Sequence, residues 1–400
     1  MPAGRIPFYA LSREELASEL AAAGFEKFRA KQVFDCVYSK KIFAPKAFPA
    51  LPAKLAGFLG ERFDFEPAKL VGDRKAGDET KKYLFALPDG NFVECVLLKA
   101  PAEDGKTRKT LCVSTQVGCA CGCRFCASAM RGFVRNLTAG EIVAQALPFV
   151  ERKILTSGRA EAKFEFENIV VMGMGEPLAN FDNLSAALAV FNSPEKFGFG
   201  ARRITVSTCG IADRLEKLAE TGFPYRLAIS LHGATDEVRS QIMPINKKYP
   251  LARLVAAAKK FSEKCGRMIT LEYIMIENVN DSFAQARELA KIARTLHAHV
   301  NLIPYNRVES LPWRRSDAAR RAAFAKILAE KGVSHTLRRE KGSEIDAACG
   351  QLALKRKLEA GAGGGACGSA EAGETAKIPP ETFFNCEKPC AGQSENGEQL

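Results

Sequence analysis

Four cysteines crowd one stretch of eight residues, Cys119-Ala-Cys121-Gly-Cys123-Arg-Phe-Cys126. Cys119, Cys123 and Cys126 follow a C-x3-C-x2-C spacing, so a single tight loop presents three thiolates. Such a loop can hold three corners of a cubane [4Fe–4S] cluster and leave the fourth iron open to a substrate. The competing reading is a zinc knuckle, or thiols that bind nothing. A structural zinc site takes four protein ligands, commonly as two separated pairs, and only one close group stands here. Cys121 is left over by the spacing and is read as a spectator, although a C-x-C-x-C pattern can also bind metal.

Other chemistry-bearing residues follow short apolar runs: Gly175-Glu176, Ser207, Ser230, His232 and Asn306. Taken singly each has a bland reading, His232 as a satisfied core histidine among them. Cys112 and Cys349, taken singly, read as ordinary buried thiols. Glu94 lies inside an apolar run, and the residues alone favour a solvent-facing carboxylate.

Those positions need a scaffold that gathers strand ends. Six strand candidates, at 110–114, 169–172, 204–207, 227–230, 269–274 and 300–303, alternate with helical patterns such as 251–261. Thr138-Ala-Gly-Glu141 is a capping box that starts another helix. Repeated β-then-α order implies parallel strands with helical crossovers. Six units fit an incomplete α/β barrel, whose chemistry collects at the C-terminal strand ends. Upstream, a second capping box at Ser12-Arg-Glu-Glu15 opens a helical stretch, with further helices expected at 29–39 and 55–63. The runs 83–87 and 92–98 flank Pro88-Asp-Gly-Asn91 and predict a β-hairpin. Beyond Lys357 the glycine-rich composition reads as a flexible tail, in which Cys367, Cys386 and Cys390 lack a matching pair for metal.

The chain has 400 residues, 46% hydrophobic and 26% charged, enough for a sizeable core and inconsistent with wholesale disorder. No apolar run of membrane-spanning length and no secretory signal is visible, so a cytoplasmic protein is expected. In a reducing compartment, five cysteines between Cys112 and Cys126 point to metal or catalysis. The net charge of +12 suits either a solvated basic surface or nucleic acid. Short basic pairs at Arg202-Arg203, Lys247-Lys248, Arg314-Arg315 and Arg338-Arg339 would give diffuse phosphate contact.

A C-x3-C-x2-C loop after the first strand of a partial barrel resembles the radical S-adenosylmethionine enzymes. Further strings narrow the likeness: Phe28-Arg-Ala-Lys-Gln32, Cys112-Val-Ser-Thr-Gln-Val-Gly-Cys119, Arg135-Asn-Leu137 and Gly173-Met-Gly-Glu-Pro177. Ser207-Thr-Cys-Gly210, Ser230-Leu-His232, Met243-Pro-Ile-Asn246, Asn301-Leu-Ile-Pro-Tyr-Asn306 and Asp346-Ala-Ala-Cys-Gly-Gln-Leu352 continue it. Together, over about residues 12–355, they are similar to the RlmN family of bacterial RNA methyltransferases, which act on C2 of adenine. The fold so implied is α/β: a partial (β/α)6 radical-SAM barrel over 109–355, with a helical RNA-binding domain at 1–63. A β-hairpin extension at 64–108 and a disordered tail at 356–400 complete it.

The resemblance implies a [4Fe–4S] cluster on Cys119, Cys123 and Cys126. It implies S-adenosylmethionine contacts from Gly175, Glu176, Ser207, Ser230, Leu231, His232 and Asn306. Adenine C2 is a poor nucleophile, and the family solves this with two thiols and two S-adenosylmethionine molecules per methylation. Cys349 takes a methyl group from the first, and the second yields a 5′-deoxyadenosyl radical that activates that methyl. The resulting radical joins protein to RNA at C2. Glu94 becomes the proton acceptor, against its solvent-facing reading, and Cys112 attacks the sulfur of Cys349 to release product with a disulfide. Implied partners are 23S rRNA near the peptidyl transferase centre, the tRNA anticodon loop and a flavodoxin-type electron donor, with a monomeric enzyme. Departures from the family are Cys121, Cys36 where an aromatic is usual, and the cysteine-bearing tail. Two alternatives remain: the sister class that methylates adenine C8, and a non-catalytic iron–sulfur or zinc RNA-binding protein.

Overall fold

A computed structural model describes residues 4–101, 105, 107–154, 160–307 and 311–338. Among them ten strands form one sheet: β1 (Lys69–Lys75), β2 (Lys81–Ala86), β3 (Phe92–Pro101), β4 (Thr107–Cys112) and β5 (Asn168–Val171) begin it. β6 (Ile204–Thr208), β7 (Arg226–Ser230), β8 (Thr270–Met275), β9 (His299–Pro304) and β10 (His335–Leu337) complete it. Each of these ten strands bonds to its predecessor among them, so the sheet runs in sequence order from edge to edge. β1 to β4 pair antiparallel and β4 to β10 pair parallel.

Parallel neighbours need long crossovers. Helices Phe181–Asn192, Ala212–Glu220, Leu251–Cys265, Phe283–Thr295 and Ala318–Glu330 supply them. The third turns Leu254, Ala257, Ala258 and Phe261 into the core and ends at Gly266, whose left-handed φ of 58° suits a glycine. Both expected capping boxes form. Thr138 Oγ1 accepts from Glu141 N at 3.2 Å, and Ser12 Oγ accepts from Glu15 N at 3.1 Å. Each cap stabilises its helix by about 1 kcal/mol.

All six expected barrel strands are present within three residues of the stated bounds, and β10 adds a seventh parallel strand. The expected hairpin is β2–β3, but β1 packs beside it, so the extension is a longer antiparallel ribbon. β1 is largely exposed on both faces, and β10 has only three residues, so neither shows an apolar run. The helix expected at 29–39 is α-helical only over Arg29–Phe34; Asp35–Ser39 widens into a π turn that buries Cys36, Val37 and Tyr38. The N-terminal helices contribute Leu16, Leu20, Phe34, Leu55 and Leu59 to the same hydrophobic cluster as the sheet.

Among the described residues no helix is long and apolar enough to cross a membrane. Cys349, Arg339, the motif at 346–352 and the tail from 356 lie outside the described residues.

Candidate active site

Register places the site residues on one face. Val96 of β3 lies opposite Cys112 of β4, which lies beside Val170 of β5, itself beside Thr205 of β6. Side chains two apart share a face. Glu94, Cys112, Ser207, Ser230 and Glu272 therefore project from the same side of the sheet. At the C-terminal strand ends this face opens into a cleft. Cys119, Cys123, Cys126, Gly175, Glu176, Ser207, Ser230 and His232 all line it. Leu231, between Ser230 and His232, and Asn306, two residues past β9, are buried without lining the cleft. Asn306 Oδ1 has no hydrogen-bond partner among the described residues.

The cysteine loop is set by its flanks. Gly118 has φ of 73°, and a Cβ there would overlap the carbonyl oxygen of Gly132, so the loop needs glycine to turn. Burial pushes the Cys123 and Cys126 thiols up, and a hydrogen bond with Cys121 followed by burial does the same at Cys119. Three thiolates gathered here require a compensating cation. An iron–sulfur cluster would provide one, and three cysteines lining one cleft from a single loop are a donor set that suits it. Cys121 is not isolated: its sulfur lies 3.4 Å from that of Cys209.

Glu176 is held by the strings around it. Its carboxylate accepts from Thr208 Oγ1 at 2.7 Å, Cys209 N at 2.7 Å and Leu178 N at 3.0 Å. Its own N–H donates to Gln116 Oε1 at 2.8 Å. Gly175 has φ of 101°, and a Cβ there would come within 2.5 Å of Gln116. The Ser-Thr-Gln stretch thus packs against the Gly-Met-Gly-Glu stretch with no room for a side chain. Burial pushes the Glu176 carboxyl up despite these bonds. None of its donors is charged, so a ligand ammonium would complete it.

His232 adopts a positive φ of 55°, unusual outside glycine. Its Nδ1 accepts from Ile274 N at 3.2 Å, which leaves Nε2 carrying the proton. Burial, then the nearby Arg239 charge, lowers its pKa to about 3. Its ring stands edge-on to Phe125, 4.8 Å between centroids, inside the cysteine loop.

Glu94 is 5% exposed and pairs with Lys82 Nζ at 3.1 Å, which corrects the solvent-facing reading. Cys112 is buried at the end of β4. Neither lines the cleft itself, although both share its face of the sheet.

Several neighbours escaped the sequence reading. Lys82 is one; its place two residues before Leu84 on the strand opposite Glu94 was the available signal. Arg239 is fully buried and donates to Leu231 O, Asn246 Oδ1 and Cys209 O, bracing the strand ends. Glu272 and Cys209 line the cleft from within strings whose other members drew attention.

The Radical SAM superfamily model matches residues 113–290. An Opitutus terrae protein named "Probable dual-specificity RNA methyltransferase RlmN 3" is 53% identical over 350 residues, covering 86% of this chain and 94% of that protein. An Akkermansia muciniphila protein, "Probable dual-specificity RNA methyltransferase RlmN", is 46% identical, covering 88% of this chain and 96% of its own. Among solved structures, a radical SAM methyltransferase from Sphaerobacter thermophilus superposes with a TM-score of 0.79 at 41% identity, covering 87% of this chain and 99% of that one.

Proposed function

The chain belongs to the RlmN family of the radical SAM superfamily, and from that premise we propose that it methylates C2 of adenine in 23S rRNA and tRNA. The observation that carries the reading is the convergence of Cys119, Cys123, Cys126 and Glu176 on one cleft, with Cys112 and Glu94 on the same face of the sheet. Cys119, Cys123 and Cys126 would hold a [4Fe–4S] cluster, which when bound and reduced would supply one-electron chemistry toward S-adenosylmethionine. Glu176 receives the cofactor's amino group, and Gly175 lets the backbone approach it. Ser207, Ser230 and His232 contact the nucleoside from the cleft wall, His232 as a neutral Nε2–H donor, and the family resemblance adds Leu231 between them. Asn306 offers its unpartnered amide oxygen to the same ligand.

Cys349 carries the methyl group as a thioether, and the carbon bridge it forms to adenine joins protein to RNA. Glu94 takes the proton from C2, its charge balanced inside the sheet by Lys82. Cys112 then attacks the sulfur of Cys349. The bond from that sulfur to the bridging carbon breaks, its electron pair stays on the carbon and takes up a proton to complete the methyl group, a disulfide forms, and methylated RNA leaves. The exposed pairs Arg202-Arg203, Lys247-Lys248 and Arg314-Arg315 meet phosphates, and the N-terminal helices add a second RNA surface. Adenine leaves its stack to reach the cleft. A flavodoxin-type protein supplies electrons to a monomeric enzyme. Incubating unmodified rRNA and tRNA with reduced protein and S-adenosylmethionine tests this. Mass spectrometry should find 2-methyladenosine; 8-methyladenosine would assign the sister class, and intact S-adenosylmethionine would leave a binding protein.

A further inference from the structure

Cys121 is the loop thiol that the C-x3-C-x2-C spacing does not use, and the proposed chemistry gives the Cys209 side chain no task. Their sulfurs are 3.4 Å apart, on two separate elements: the cysteine loop and the turn after β6. Both line the cleft, with Cys121 half-buried and Cys209 buried. Cys209 sits in a fixed frame, its N–H donating to Glu176 and its carbonyl accepting from Arg239, each at 2.7 Å. Cys121 precedes Gly122, whose φ of 63° marks a turn of the loop. A disulfide bond is about 2.05 Å long, so closure asks roughly 1.4 Å of sulfur movement, within reach of a side-chain rotation.

We infer that Cys121 and Cys209 form a reversible disulfide, with Cys121 as the attacking thiol and Cys209 as the resolving one. The oxidant is a low-molecular-weight disulfide such as oxidised glutathione. The Cys121 thiolate attacks one of its sulfurs, forming a mixed disulfide and expelling one small thiolate. The Cys209 thiolate then attacks the Cys121 sulfur and expels the second. Two electrons pass to the small disulfide, and the protons released by Cys121 and Cys209 end on the two small thiols. The order follows from access, because Cys121 is the more exposed of the pair. The bond ties the middle of the cysteine loop to the end of β6 and leaves Cys119, Cys123 and Cys126 reduced, as a cluster requires.

The test uses the full-length chain before cluster insertion, equilibrated anaerobically with oxidised and reduced glutathione, alkylated and peptide-mapped. The dominant protein disulfide within the cleft should join Cys121 to Cys209. Cys209→Ala and Cys209→Ser should both accumulate glutathione on Cys121, whereas Cys121→Ala should carry none on Cys209. A bond from Cys121 to Cys119, glutathione on Cys209 in Cys121→Ala, or five unlinked cleft thiols would overturn the inference. None of these readouts needs methyl transfer, so they stand apart from the proposed function.

Discussion

Replacing Glu176 by Gln removes one charge from the cleft while keeping the side chain's shape. The groups that donate to this carboxylate, among them Thr208 Oγ1, Cys209 N and Leu178 N, are neutral. A cofactor ammonium would be its cationic partner, and a hydrogen bond to a charged group contributes about 1.5–3 kcal/mol. That corresponds to roughly 10- to 150-fold in affinity. The affinity for S-adenosylhomocysteine, which keeps the amino group, should therefore fall about 10- to 150-fold. Thr208→Val keeps the charge and deletes one neutral donor, so it should cost about 1 kcal/mol, roughly fivefold. Isothermal titration of anaerobic proteins with matched cluster content reads both. Because burial raises the Glu176 carboxyl, affinity should fall as pH drops through that raised value, since the anion is the binding form. Binding by Glu176→Gln within a few-fold of wild type, or equal losses in the two variants, would refute the role.

Changing Cys119, Cys123 or Cys126 to Ala should abolish the cluster's visible absorbance, while Cys121→Ala should keep most of it; equal loss in all four would break the ligand assignment. Glu94→Gln should retain cofactor cleavage yet lose methylated RNA by about 100-fold or more, measured by nucleoside mass spectrometry, since it removes the base and keeps the shape. His232 has a folded pKa of about 3, below its unfolded value, so the unfolded chain takes the proton first as pH falls. Stability from this group is complete above about pH 6.5 and is lost toward pH 3, at up to about 1.4 kcal/mol per pH unit. His232→Gln should flatten that part of the pH dependence of the thermal midpoint.

What could be read before folding was whatever repeats or clusters within a short window. The parallel strands show as apolar runs, the capping boxes as spaced pairs, and the cluster loop as three thiols on one turn. Pairings set by register could not be read this way. Glu94 looks solvent-facing because its partner, Lys82, lies across the hairpin and meets it only diagonally once β2 and β3 are in register. Cys121 looks idle because Cys209 arrives from the turn after β6, 88 residues later. Arg239 carries no local sign of burial, and its three acceptors come from three separate segments. The exposed β1 and the three-residue β10 bury too little to leave a pattern.

The central claim is a covalent reaction divided between two thiols, and RNA trapping tests it most directly. Cys112→Ala keeps the Cys349 thiol that accepts the methyl group but lacks the thiolate that breaks the protein–RNA link. Incubated with labelled RNA, S-adenosylmethionine and a reductant, it should give a slow, nuclease-sensitive band on a denaturing gel. Cys349→Ala and the double variant should give none. Normal turnover by Cys112→Ala, or equal trapping by Cys349→Ala, would contradict the two-thiol account.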